Sequence, residues 1–407
     1  MNVITRMDRK IIYSILISFT LFFNSKAQTQ DSIFILLENP KVQIESTDAV
    51  NNLYNFRFEK ADLQFGWLQQ EYPWHPLGYF LRGLSEWWKI LPNMQDKSRD
   101  DRFHAYMDSA IYLAEFLYKK PPNKIEASFF LAAAYGFKGR LLSEREEWLK
   151  AASAGKKALK YLEDSEEYTN LSPEFLFGHA LYNYYSVWIP DNYPALKPIL
   201  IFFKKGDKDL GIKQLREVAN NAFYTRTEAQ HFLVKILNSE KKNKSEALLV
   251  AKLLMDTYPK NSVFMMYYAR LLYNSGRWSQ MVPVCDTIMT RIDANEFGYG
   301  PWAGKYAAFF LGEHYKAKRE NEKAKYYYRR AIDFGEVGEM EESGYHLYSL
   351  LNLLRIADEE EDHEVAEEYV EAIRDHSDRK HPANKAARKY LKERRKEKRE
   401  GKFLGIF

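Results

Sequence analysis

Cysteine is almost absent: Cys285 stands alone among 407 residues, so no internal disulfide can form and packing alone must hold the fold. The sequence also lacks a glycine-rich phosphate loop, a G-x-S-x-G elbow, an H-E-x-x-H pair and paired-cysteine metal spacing. Its nine histidines are scattered. Glu313 and His314 are adjacent on a helix and so diverge, while His363 and His376 have no evident third ligand. These absences argue against an enzyme, a metal protein or a cofactor protein. After residue 23 no apolar run approaches the roughly twenty residues that span a bilayer as a helix.

The first residues have a different character. Arg6, Arg9 and Lys10 precede a thirteen-residue, mostly apolar run from Ile11 to Phe23, and Ser25 and Ala27 follow. This is the layout of a secretory signal peptide over residues 1–27. The leader resembles those of Gram-negative envelope proteins, which implies export to the periplasm or outer membrane. Residues 28–50 read as a linker.

Composition elsewhere is ordinary for a globular chain, 46% hydrophobic and 29% charged, with aromatics high at 15%. The informative feature is a spacing. In the segment 307–335, Ala324, Tyr328 and Ala331 follow one another at steps of four and three, which keeps them on one side of a helix. The preceding helix offers Gly312 and Tyr315 across the polar turn "KRENE". Gly312 and Ala324 are small enough for two antiparallel helices to approach closely, with Tyr315 and Tyr328 filling the space beside them.

The same steps recur. They occur at Ala61, Phe65, Leu68; at Ala110, Ala114, Leu117; at Ala151, Gly155, Ala158; and at Gly211, Leu215, Val218. They return at Ala247, Ala251, Leu254; at Met281, Cys285, Ile288; and at Ala366, Val370, Ile373. Pro73, Pro122 and Pro259 each stand five residues after a match, where proline stops a helix. Ala247 and Met281 are 34 residues apart.

This pattern resembles the tetratricopeptide repeat, a 34-residue helix–turn–helix unit with small residues at the helix contacts. The 307–335 unit matches best, whereas the 228–295 pair replaces the usual glycine with Lys235 and Ala269. The expected fold is therefore all-α: seven or eight stacked antiparallel hairpins over residues 51–380, forming a superhelical solenoid. Such hairpins cannot bury their apolar faces alone, and stacking supplies a continuous core.

Two stretches interrupt the repeat. Between 186 and 209, Pro190, Pro194 and Pro198 break up any long helix before the apolar run "ILIFF". This reads as a loop packed on the array, or as a lid. Between 293 and 304, three glycines and a proline mark a turn-rich excursion whose Phe297, Tyr299 and Trp302 either form a ridge or tuck back. Trp87 and Trp88 cannot both face one way on a helix, so one is expected in the core and the other outside. Nine acidic and no basic groups lie in 357–371, and ten basic against three acidic in 385–402. Residues 381–407 thus read as a basic tail, capping or protruding, with a possible attraction to an anionic envelope surface.

The resemblance implies a concave groove lined by the first helix of each hairpin, binding a protein or peptide. Projecting the register onto this sequence puts Phe129, Phe232, Met266, Arg270, Tyr273, Asn274, Phe309, Glu313 and Lys316 on that face. Cys285 falls on an inner face where a thiol packs as a small apolar group. The leading expectation is an exported, non-catalytic binding scaffold without cofactor or metal. A glycan- or nutrient-binding protein and an envelope assembly factor are the alternatives. Export speaks against nucleic acid.

Overall fold

Antiparallel helix pairs follow one another from residue 40 onward. The computed structural model describes residues 35–403 apart from 121–122, 167–168, 170–171, 202 and 241–242, and among the described residues there is no strand. The expected leader and the last residues of the tail lie outside them. The hairpins are α1 (Pro40–Tyr54) with α2 (Phe58–Glu71), α3 (Leu77–Ile90) with α4 (Asp100–Tyr118), and α5 (Lys124–Glu144) with α6 (Trp148–Ser165). Next come α7 (Pro173–Asn192) with α8 (Lys208–Asn221), α9 (Arg226–Glu240) with α10 (Lys244–Thr257), and α11 (Ser262–Asn274) with α12 (Trp278–Asp293). The series ends with α13 (Pro301–Ala317) and α14 (Asn321–Val337), α15 (Gly344–Glu359) and α16 (His363–Asp375), and a final helix α17 (Pro382–Phe403). The chain is an all-α, tetratricopeptide-like solenoid.

Its first helix corrects the expectation of a linker over 28–50. Asn39 caps α1 by accepting from the backbone of Lys41 and Val42, and Pro40 presets the first turn. Val42, Ala49, Val50 and Leu53 are then buried, because α2 needs an apolar partner for its own stripe.

The second helices behave as their spacing requires. Ala61, Phe65 and Leu68 are buried, as are Ala110, Ala114, Leu117 and every later triplet from Gly211 to Ile373. One register is corrected: in α6, Ala154 and Ala158 are buried while Ala151 and Gly155 are only partly so. Phe203 lies on this side of α6, its ring 3.7 Å from where a Gly155 Cβ would sit.

The turns repeat as faithfully as the stripes. Within five hairpins one residue of the turn has a positive φ: Phe56, Glu146, Gly276, Arg319 and Glu361. The residue after each donates back over the helix end, as Arg57 does to Asn52, Glu147 to Leu142 and Glu320 to Tyr315. This is the six-to-one bond of a Schellman turn. Only Gly276 is the residue type that this backbone favours.

The first helices are enclosed rather than amphipathic. Trp87 and Trp88 are both fully buried, against the expectation that one would be exposed. Trp87 meets Phe103 and Phe137 of its own neighbours, while Trp88 meets Tyr54, His231 and Phe264. His231 and Phe264 come from far along the chain, because the solenoid winds tightly enough for its start to touch its middle. Asn261 donates to the Tyr54 carbonyl at 2.8 Å, the Lys260 N–H donates to Asn55 at 2.9 Å, and Phe297 packs edge-on against Phe56 and Phe58.

Buried carboxylates join the windings. Glu126 accepts from the backbone of Leu36 and Leu37, and Glu174 accepts from Tyr224 and Thr225 at the start of α9. The Trp88 indole donates to Glu228 at 2.6 Å.

The two interruptions are resolved differently. Residues 193–207 form an exposed excursion between α7 and α8, held by Tyr182 donating to the Lys204 carbonyl and the Gly206 N–H donating to Ser186. Pro190 does not end α7, which runs two residues further to Asn192, and the Tyr193 N–H still donates to the Ile189 carbonyl. The second excursion is shorter than expected, since Pro301 opens α13, and Tyr299 is buried. The basic segment docks as a helix: Ala383 and Ala387 of α17 pack under Leu350 and Leu354, and Lys398 reaches Glu367 at 3.3 Å.

Candidate functional site on the first helices

Side chains of α5, α7, α9, α11, α13 and α15 that keep some contact with solvent converge on one lining. Arg140 contributes one cation to it. Its guanidinium lies 4.3 Å from the Trp87 ring centre and 5.0 Å from that of Phe232. Nη1 is buried without a hydrogen-bond partner. Lys235 stands one helical turn after Phe232, with Nζ 5.8 Å from the same ring. Among the described residues neither cation has a carboxylate within ion-pair distance. Arg270 continues the row, 5.7 Å from the Tyr306 ring centre, with its Nε unpartnered.

Aromatic rings connect these cations. Tyr185 packs on Phe232 at 6.0 Å, Tyr267 on His231 at 5.6 Å, and Tyr345 on Tyr306 at 4.7 Å. Burial pushes the Tyr185 and Tyr267 hydroxyls up to about 12, so both stay protonated donors. Burial, and then the nearby Arg140, push the Lys235 ammonium down to about 7. His231 is held well below the usual imidazole range, first by burial and then by Lys235 and Arg140. A cation row that bears this desolvation cost with no carboxylate in ion-pair contact, Glu228 and Glu144 acting on it only from a distance, can receive negative charge or hydrogen-bond acceptors.

The residues projected from the repeat register divide into three groups. Arg270 belongs to the lining, and Phe232 supports it from below, its ring under Arg140 and Lys235. Phe129, Met266 and Phe309 do not line a groove; all three are buried. The tight winding explains this, because the open side of a first helix in a loose array is covered here by the next first helix. Tyr273, Glu313 and Lys316 are half-buried on a neighbouring stretch. There Glu313 accepts from Tyr328 and Asn352, each at 2.6 Å, and Tyr273 stacks on Phe310 at 4.3 Å. Those bonds make Glu313 a structural tie between hairpins. Asn274 ends α11 and is exposed.

The projection missed Arg140, Tyr185, Lys235, Tyr267, Tyr306 and Tyr345. One of them left a trace in the sequence, since Lys235 stands where the repeat ordinarily has glycine. Cys285 is buried in α12, and burial pushes its thiol up.

No protein-family model matches this chain, and no curated protein matches it. Among solved structures it is similar to human IFIT1, in a structure described as the dimer with PPP-AAAA. The TM-score is 0.42 at 13% identity, covering 79% of this chain and 69% of that one. At that level the likeness assigns no ligand and no residue role here.

Proposed function

We propose that this protein is a non-catalytic scaffold that holds an extended segment of a partner protein along its concave face. The observation that carries this reading is the lining itself. Arg140, Lys235 and Arg270 are spread over the first helices α5, α9 and α11 with no carboxylate in ion-pair contact, and tyrosine hydroxyls stand between them. An extended peptide presents carbonyls and side chains at intervals that such a row can meet, and the rings supply apolar contact. Acidic side chains in the partner would compensate the three cations. The charged, partly aqueous rim also suits a partner that exchanges rather than one that is buried permanently.

The leader favours action outside the cytoplasm, in the periplasm or at the outer membrane. The glycan reading loses Trp87 and Trp88, which are enclosed and offer no face to a sugar, while Trp67 and Trp74 remain 42% and 44% exposed.

Photo-crosslinking in the native cells tests the proposal. A benzophenone amino acid at Tyr267 or Tyr306 should capture a discrete protein, whereas one at Tyr112 or Tyr326, exposed on the outer helices, should not. Crosslinks to protein only from the outer positions, or to nucleic acid from the inner ones, would overturn it.

A further inference from the structure

The excursion between α7 and α8 has a surface unlike the rest of the array. Ile201 is 74% exposed and Tyr193 52% exposed, on one projecting segment. Leu196, Ile199 and Leu200 beside them are only partly covered. A single helical turn, Lys197–Leu200, follows a 3-10 turn at Pro194–Leu196, so the tip is short and proline-stiffened. Beneath it lies a hollow of about 240 Å³ lined by Val187, Pro190, Leu200, Ile201 and Phe203 among others. The apolar side chains are therefore not packed down onto α7.

Charge within the tip segment itself is of one sign, while Asp191 lines the same hollow and Glu163 pairs with Lys204 from α6. Lys197, Lys204 and Lys205 flank the tip and are exposed, and no carboxylate occurs from Tyr193 to Gly206. Lys204 reaches Glu163 on α6, but remains largely in solvent. Trp188 and Tyr193 pack edge to face at its base, at 5.9 Å.

We infer that the described residues of 193–205 are a membrane-contact element, inserting Ile201 and its described apolar neighbours Leu196, Ile199 and Leu200 into the headgroup region of an anionic lipid bilayer while the lysines meet lipid phosphates. Three observations fit one occupant. Exposed aliphatic residues at a projecting tip gain by entering the acyl boundary. A collar of exposed lysines, with no carboxylate in its own segment, complements an anionic surface. Tyrosine and tryptophan at the base match the interfacial level, where such rings are enriched. A protein groove would instead be expected to offer carboxylates to the collar and a concave apolar seat. No described helix is long and apolar enough to cross a membrane, so this contact is peripheral. It lies apart from the concave lining and does not depend on the binding role proposed for that face.

Sedimentation with lipid vesicles tests it, using the chain from Gln28 onward, which retains every described element and removes the apolar leader. Binding should be strong to vesicles containing phosphatidylglycerol and weak to pure phosphatidylcholine. Ile201→Asp should reduce partitioning at least tenfold with an unchanged melting temperature. Lys204→Gln with Lys205→Gln should reduce it about twenty-five-fold on anionic vesicles, some fivefold for each lysine. A parallel variant neutralising Lys392, Arg395, Lys396 and Arg399 of α17 should retain binding. Absence of wild-type binding to anionic vesicles would overturn the inference. So would loss of binding in the α17 variant while the Ile201 and lysine variants bind normally, because the basic helix would then be the lipid contact.

Discussion

Tyr328 lies flat against the backbone of Gly312: a Cβ built on that glycine falls 2.6 Å from two carbons of the ring. The contact joins α13 to α14 and is the one the 307–335 spacing singled out. Gly312→Ala must displace Tyr328, which also donates to Glu313 at 2.6 Å, so it should cost about 1–3 kcal/mol by denaturant titration. Gly66 provides the opposite sign. It lies inside α2 with nothing within 4 Å of its would-be Cβ, and Gly66→Ala should stabilise by up to about 1 kcal/mol.

The repeated turns carry strain that glycine would relieve. Glu146, Arg319 and Glu361 hold φ values of 62°, 61° and 60°. An L-residue pays about 1 kcal/mol there, offset in part by the extra chain entropy that glycine loses on folding. Combining Glu146→Gly, Arg319→Gly and Glu361→Gly should raise the melting temperature in calorimetry, and Gly276→Ala should lower it.

How much of this was legible depends on which helix is considered. The second helices bury one stripe and expose the rest, so steps of four and three revealed them from Ala61 to Ile373. The first helices are surrounded, which removes the polar face that would mark their orientation. For that reason Phe129, Met266 and Phe309 looked like groove residues and are core, and both Trp87 and Trp88 are enclosed. The left-handed turns were hidden because four of the five within hairpins lack glycine. The lining needed the long-range winding that brings Tyr54 beside Asn261, and no local pattern encodes it.

That winding has its own test. Asn261 caps α11 by accepting from Val263 and Phe264 and also donates to the Tyr54 carbonyl. Asn261→Ala should cost about 1–2 kcal/mol through the cap. It should also speed amide hydrogen exchange in residues 50–58, more than 200 positions away in sequence. Exchange accelerated only within α11 would mean the windings are not coupled.

Lys235 predicts a pH dependence. Its folded pKa lies at about 7, below the 10.5 of the free side chain, so the unfolded chain binds the extra proton between those values. Stability should therefore rise with pH from about 7 to 9, to the extent that Lys235 contributes. Arg140 and Glu144 from α5 and Glu228 from its own helix act on this group, Arg140 opposing the charge and both carboxylates favouring it. Lys305, pushed down to about 8 by burial, adds a slope of the same sign. Lys235→Met should raise the melting temperature at pH 7 and flatten, without abolishing, the rise toward pH 9.

Such a gain in stability marks a residue kept for binding rather than for folding. The decisive measurement is the affinity of the partner captured from Tyr267, compared between wild type and a variant combining Arg140→Gln, Lys235→Gln and Arg270→Gln. The concave-face account predicts at least a tenfold loss of affinity with a melting temperature equal to or above that of wild type. Unchanged affinity in that folded variant would contradict it.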